Sequence, residues 1–170
     1  MRKLIALIAL LLVGSGVAFA EECPQVINAD TSFVCTEVVF NDSGSALTSG
    51  TVVVWDQADT DFNTSGRPYV ITSSTADDPW TAGVLSDNSC ADQALCTMVT
   101  RGITTVRIAD ATDNASVDTL IGVANGVSGQ AGDYATGANT CALGTLVDFL
   151  YGDNGADNTL GRVFVDVDCD

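Results

Sequence analysis

The C-terminal segment constrains the fold more than any other feature of this sequence. From Val163 to Cys169, three valines and the cysteine alternate with Phe164, Asp166 and Asp168. This is the pattern of a β-strand with one buried face. The segment from Cys141 to Phe149 carries a matching alternation and is followed by the turn-forming residues 153–157. A hairpin centred on Gly155 places Cys141 directly opposite Cys169, close enough for a disulfide. We therefore predict an antiparallel hairpin closed by that disulfide.

The same register assigns the two faces of the hairpin. Val147 would lie opposite Val163 on the buried face, while Leu146, Leu150 and Phe164 would lie on the other face. An apolar second face must be covered by another layer or by a neighbouring subunit. We expect the neighbouring subunit, and hence an oligomer or polymer.

Six cysteines, an even number, predict three disulfides in an oxidising compartment. Besides Cys141–Cys169, the short turn-like segments between Cys23 and Cys35 and between Cys90 and Cys96 favour the pairs Cys23–Cys35 and Cys90–Cys96. A zinc site is the alternative, but such sites prefer C-x₂₋₄-C spacings, which neither pair has.

Residues 1–20 have the organisation of a signal peptide. Arg2 and Lys3 precede the apolar run Leu4–Val13, and Ala18-Phe19-Ala20 fits the small-residue cleavage rule. We expect cleavage after Ala20 and a secreted, extracellular or periplasmic protein. No later stretch is long and apolar enough to span a membrane, so residues 21–170 are expected to form a single β domain.

Composition favours an all-β fold. Val, Ile, Thr and Gly are abundant, and short apolar segments are separated by Gly, Asn and Asp about every ten residues. We predict one compact β-barrel or β-sandwich stapled by disulfides. Individual strands are expected at Gly50–Asp56, Tyr69–Thr72 and Ala82–Leu85, with a turn at Asp77-Asp78-Pro79. Residues Cys96–Ile108 are expected to form a second hairpin with a bulge or bend at Gly102.

The charged residues exclude several functions. The chain has no histidine, and its one lysine, Lys3, lies in the leader, so histidine-based triads, Schiff-base lysines and Walker-A loops are ruled out. Removal of Arg2 and Lys3 changes the formal net charge from −16 to −18. Such a chain repels nucleic acid, and we expect no nucleic-acid partner.

Carboxylate chemistry is the remaining catalytic option. Asp42-Ser43-Gly44 has the sequence of an aspartic-protease loop, but only one copy is present and the tripeptide is also an ordinary turn. We interpret it as a turn and predict that the protein is not an enzyme and needs no cofactor.

Calcium is a further alternative. Four oxygen-bearing side chains, Asp56, Asp59, Asp61 and Asn63, imitate the start of an EF-hand loop, but Thr64 stands where that loop needs glycine. We favour the explanation that these are solvated turn acids, so the four residues are weak candidates for a metal site.

Several segments resemble small tailed-phage capsid-decoration, or head-stabilising, proteins. The family's segments "N-x-[ST]-G-x-x-L-x-x-G-x-x-V", "T-[ST]-T-A-D-x-P-x-x-A-G-V", "V-x-x-x-G-[IY]-x-x-V" and "A-L-G-x-x-[LV] … V-x-V" are matched in order by Phe40–Val54, Ser73–Val84, Met98–Val106, and Ala142–Gly144 with Val163–Val167. The resemblance implies a compact β-barrel or sandwich, often trimeric, that binds a protein lattice and catalyses nothing.

Together with the leader and the cysteines, this resemblance leads to one functional expectation. We expect a secreted structural protein that assembles with itself or decorates an extracellular surface lattice, filament or particle. The alternative is a secreted calcium- or carbohydrate-binding β module.

Overall fold

A computed structural model describes residues 34–58, 68–109, 117–135, 140–150 and 159–169. Within these ranges the chain forms nine β-strands and no helix, as the β-branched composition predicts. In chain order the strands are β1 Val34–Asn41, β2 Val52–Trp55, β3 Tyr69–Ile71, β4 Thr81–Leu85, β5 Leu95–Ile108, β6 Leu120–Val123, β7 Ala131–Asp133, β8 Cys141–Phe149 and β9 Thr159–Cys169.

The strands close on themselves. Pairing follows the order β1-β3-β2-β4-β5-β7-β6-β8-β9, and the additional pairings β1–β5 and β5–β9 complete two rings of five strands that share β5. Each of the nine described strands therefore has at least two hydrogen-bonded neighbours. Closure of this kind removes the free edges that an open sheet would expose. The predicted all-β barrel is confirmed.

Two hydrophobic cores lie on opposite sides of the layer β2-β4-β5. On β2, Val53 points into one core, and its neighbours Val52 and Val54 point into the other. The smaller core contains Val39, Leu47, Val53, Val70, Ala82, Leu85, Cys90, Cys96 and Met98. The larger core contains Val52, Val54, Val84, Val99, Val106, Ile108, Ile121, Val123, Ala131, Leu143, Leu146, Val163 and Val165.

Strand β5 corrects one prediction. Residues Leu95–Ile108 form one continuous strand and not a hairpin. Its first half pairs with β1 and its second half with β9, and the two pairings overlap at Arg101 and Gly102. Gly102 has a φ of 106° and is the expected irregularity. The chain does not turn back there but continues into the second half of β5, which pairs with β9 instead of β1. Gly102 therefore joins the two rings within one strand.

The β8–β9 hairpin confirms the predicted disulfide and corrects the register around it. Cys141 lies opposite Cys169 and is bonded to it. The register then shifts by one residue after Ala142 and shifts back after Leu146. Between these two irregularities Val163 faces Leu146, and not Val147 as a regular hairpin would require. Leu146 is consequently buried in the larger core, whereas Val147 is exposed.

Gly144 makes this one-residue shift possible. Its φ is +153°, and a Cβ placed there would lie 2.1 Å from the carbonyl oxygen of Phe164 and 2.9 Å from the Cα of Val165. Only a residue without a side chain lets the two strands approach so closely.

The predicted disulfide Cys90–Cys96 is also confirmed. Cys35 is disulfide-bonded as well, while its predicted partner Cys23 and the predicted leader, residues 1–20, lie outside the described residues. Disulfides are consistent with an extracellular or periplasmic protein. The described part of the chain contains no helix that could cross a membrane.

Candidate functional site

Four side chains form a row across the outer face of β5, β9, β8 and β6, on the side away from the larger core. Ile103 is paired with Phe164, Phe164 with Thr145, and Thr145 with Leu120. Paired residues of antiparallel strands share a face, so the four side chains stand side by side over about 14 Å. We call this set the outer row. Phe164 and Ile103 are each 40% exposed and Leu120 is 48% exposed.

The local sequence of each strand explains the row. On β9, Val163 and Val165 are buried while Arg162, Phe164 and Asp166 are exposed, as the strict alternation predicts. On β8, the shifted register turns Leu146 inward and leaves Thr145 in line with Phe164.

The predicted apolar second face is thus confirmed for two of its three residues. Phe164 is exposed on that face and Leu150 is 37% exposed. The prediction for Leu146 is wrong, because the register shift places its side chain in the core. Val147, which was expected to be buried, is exposed beside the row.

Two ion pairs flank the outer row along the strand direction. Arg101 Nε lies 3.4 Å from Asp166 Oδ1 on one side. On the other side, Arg162 forms a two-pronged contact with Asp148, in which Nε donates to Oδ1 at 2.8 Å and Nη2 donates to Oδ2. The hydrogen bond from Arg162 holds the pKa of Asp148 below its ordinary value, and the same bond raises the pKa of Arg162. An apolar strip with a charged rim is typical of protein interfaces.

The candidate calcium ligands fall mostly outside the described residues. Asp56 follows β2, and its Oδ1 accepts a hydrogen bond from the backbone N–H of Ala58 at 2.8 Å. Asp59, Asp61 and Asn63 are not described. Among the described residues, no three His, Cys, Asp or Glu side chains come together as a metal site would require.

The segment Asp42-Ser43-Gly44 is a bend held by Asn41. The buried Asn41 accepts from the Ser43 N–H through Oδ1 at 3.0 Å. Gly44 N–H donates to Asp92 Oδ1 at 2.9 Å, and Gln93 Nε2 donates to the Asp42 carboxylate. These contacts tie the bend to the Cys90–Cys96 loop, which matches the interpretation of the tripeptide as a turn.

Two buried carboxylates were not singled out by the sequence, which indicated only a turn there. Asp78 accepts from Ser73 Oγ at 2.6 Å and from the Trp80 N–H at 2.9 Å. Asp77 accepts from the Ala135 N–H at 2.9 Å, and its own N–H donates to the Val123 carbonyl. Both therefore fasten the β3–β4 connection, and Asp77 attaches it to the larger core. The signal that could have found them is the pair of adjacent aspartates directly before Pro79, since Asp side chains in turns hydrogen-bond nearby backbone groups.

A polar cleft of about 360 Å³ lies beside the second half of β5. Arg107 is its cationic side chain, and its Nη2 donates to Thr48 Oγ1 at 2.9 Å. The Nε of Arg107 is buried and has no hydrogen-bond partner among the described residues. Neither does Arg107 form an ion pair with a described carboxylate, in contrast to Arg101 and Arg162. Hydroxyl and amide side chains make up most of the remaining lining, beside Ala46, Leu47 and Gly129, and belong to Ser45, Thr48, Thr51, Thr72, Ser128 and Gln130.

Comparison with protein-family models and with curated proteins gives no match to this sequence.

Proposed function

We propose that this chain is a secreted, non-enzymatic structural protein that assembles with itself or decorates an extracellular lattice, filament or particle through its outer row. The observation that carries the proposal is the outer row, which aligns three exposed apolar side chains, from β5, β9 and β6, with the half-buried Thr145 of β8. Isolated exposed apolar residues are common on soluble proteins, but aligned ones with a charged rim mark an interaction surface. The disulfides support an oxidising compartment, and the resemblance to decoration proteins favours the same role.

Net charge predicts how such assembly responds to salt. With −18 on each copy after removal of Arg2 and Lys3, two copies whose centres lie roughly 35 Å apart repel by tens of kcal/mol in water without salt. Exposed ion pairs at the rim contribute little against this repulsion. Because the repulsion dominates and falls steeply once the Debye length drops to about 10 Å, association should tighten as ionic strength rises.

Sedimentation velocity across a salt series tests the proposal. The wild-type protein should shift toward larger species with increasing salt, and Phe164→Asp should remain small. Leu95→Asp is the matched control, because Leu95 is a 60% exposed strand residue on another surface and the substitution adds the same charge. Equal behaviour of the wild type and Phe164→Asp, or loss of assembly only in Leu95→Asp, would reject the outer row as the assembly surface.

The Arg107 cleft favours a second candidate function, the binding of an acidic carbohydrate. A guanidinium without a carboxylate partner attracts carboxylates, and the surrounding hydroxyls can bond sugar hydroxyl groups. Calorimetric titration with a uronic-acid oligosaccharide should show binding that Arg107→Gln abolishes and Arg101→Gln retains. Equal heats for the wild type and Arg107→Gln would reject this candidate.

A further inference from the structure

The outward side chains of β9 have opposite charges on the two sides of the outer row. Arg162 precedes Phe164 by two residues and Asp166 follows it by two, so all three lie on one face. Their Cα atoms are spaced about 7 Å apart along the strand. Phe164 is thus the midpoint of a positive, aromatic and negative series.

A two-fold axis makes this series complementary to itself. If the axis runs along the outer row, across the strands and midway between two copies, each row residue meets its own equivalent. Such an axis reverses the direction of β9 and brings Arg162 opposite Asp166 of the second copy, twice. Each of these charges also has a partner within its own copy, because Arg101 adjoins Asp166 and Asp148 adjoins Arg162. Each contact between the copies would therefore join two existing pairs into a network of two arginines and two aspartates.

The fold leaves packing of one face on another as the available geometry. Each described strand already has two hydrogen-bonded neighbours, so none of the described strands is a free edge strand that a second copy could extend. Packed sheets lie about 10 Å apart, with strands crossing at about 30°. An extended arginine spans most of that gap, so Arg162 can reach an aspartate on the facing strand.

We infer that the partner on this face is a second copy of the chain, docked about a two-fold axis along the outer row, with reciprocal Arg162–Asp166 contacts between the copies. This inference rests on the proposed function, since it names the partner and the geometry for the same surface. Isologous two-fold docking is the commonest symmetry among soluble oligomers.

Charge reversal with mixing tests the geometry. Arg162→Asp alone places two aspartates opposite each other at both contacts, and Asp166→Arg alone places two arginines there. The substitutions also change the net charge of each copy from −18 to −20 or −16, so affinities are compared at an ionic strength that screens the overall repulsion. Under that condition each variant by itself should dimerise at least about tenfold more weakly than the wild type. An equimolar mixture should recover a heterodimer within about threefold of wild-type affinity, because both contacts again join opposite charges. Thermal unfolding of each variant, followed by circular dichroism, checks that the fold is intact.

Crosslinking gives a second measurement that keeps Phe164 and both charges. The axis places Thr145 opposite Thr145 of the second copy across about 10 Å, which is too far for a direct disulfide. Thr145→Cys should therefore form a covalent dimer with a short bismaleimide crosslinker, and Val38→Cys, on another exposed surface, should not. If Phe164→Asp prevents assembly but mixing restores nothing and Thr145→Cys stays monomeric, the outer row remains the assembly surface and the two-fold geometry is wrong. A wild-type protein that is monomeric at every concentration and ionic strength overturns the second-copy partner altogether.

Discussion

The two cores of this protein are closed by different physical means. At the smaller core, the loop Cys90–Cys96 is held by the side chain of Asn41, whose Nδ2 donates to the carbonyls of Ser45, Cys90 and Ala91 at 2.9 to 3.1 Å. At the larger core, β8 and β9 are held by direct backbone contact at Gly144. The smaller core therefore depends on hydrogen bonds from a buried amide, and the larger core depends on a position that has no side chain.

This difference determines how each region should respond to substitution. A buried amide with satisfied partners loses a few hydrogen bonds when it is truncated, and nearby water can replace part of them. Backbone atoms at a close approach have no such alternative, because neither strand can move without disturbing the whole ladder. We therefore expect the larger core to be the more brittle of the two.

Gly144→Ala should have the largest effect. The new Cβ would lie 2.1 Å from the Phe164 carbonyl oxygen, so the register must change or the strands must separate. We expect a loss of more than about 4 kcal/mol in the free energy of unfolding, measured by urea denaturation. Gly126→Ala is the control, since Gly126 also has a positive φ of 74° but nothing lies within 4 Å of the added Cβ. That variant should lose only about 1 kcal/mol, and equal losses would show that φ alone, and not the contact with β9, governs Gly144.

Removing the disulfides compares the closures directly. Cys141–Cys169 joins residues 28 apart and Cys90–Cys96 joins residues 6 apart. Loop-closure entropy predicts a loss of about 3.5 kcal/mol for Cys141→Ala/Cys169→Ala and about 2 kcal/mol for Cys90→Ala/Cys96→Ala. Thermal unfolding monitored by calorimetry gives both values. The reverse order would mean that the smaller core depends on its disulfide more than the larger core does.

Asn41→Ala should destabilise the smaller core by about 3 kcal/mol, because it removes the hydrogen bonds that Asn41 donates to three carbonyl groups and the one that it accepts from the Ser43 N–H. Each carbonyl keeps one other donor, so the loss comes from the missing bonds and not from carbonyls without any partner. Asn41→Asp should be no better, since a carboxylate cannot donate to carbonyls. Asn88→Ala is the control, because Asn88 is exposed and lies in the β4–β5 connection shortly before Cys90. Urea denaturation should show almost no change in its free energy of unfolding. Hydrogen exchange should locate the Asn41→Ala effect at β1 and the Cys90–Cys96 loop; a uniform change across the molecule would contradict a separate closure.

The smallest expected effect concerns the exposed Asp148–Arg162 pair. Its hydrogen bond lowers the pKa of Asp148 in the folded protein, so its stabilising contribution is present above the unfolded pKa, about 3.9, and is lost as pH falls through the folded value. Arg162→Gln should return the pKa of Asp148 to its ordinary range, as measured by carboxyl-carbon NMR titration. Arg101→Gln should leave it unchanged, and an equal response to both would indicate a general field rather than this contact.

Much of the fold follows from local patterns. Strict alternation at Val163–Cys169 identified β9, and the parity of the cysteines identified Cys141–Cys169 because both ends of the hairpin retain the regular register. Short strands such as β6 and β7 were not predicted. Gly122 and Gly132, which lie within them, conceal the alternation, and their position is set by contacts with distant strands.

The candidate site shows the same division. Phe164 was expected on the exposed face from β9 alone, because a period of two is a local property of an extended backbone. The alignment of Ile103, Thr145 and Leu120 with it depends on pairings between strands far apart in sequence. The burial of Leu146 likewise depends on how closely the backbone at Gly144 approaches β9.

The sequence by itself determined the strand-rich class, two cysteine pairs and the inward and outward sides of β9, because side-chain alternation and turn chemistry act between near neighbours. Only the tertiary structure decided the two rings that share β5, the register shift at Gly144 and the outer row. These features arise where backbones that are distant in sequence meet, and steric fit and hydrogen bonding between strands fix them there.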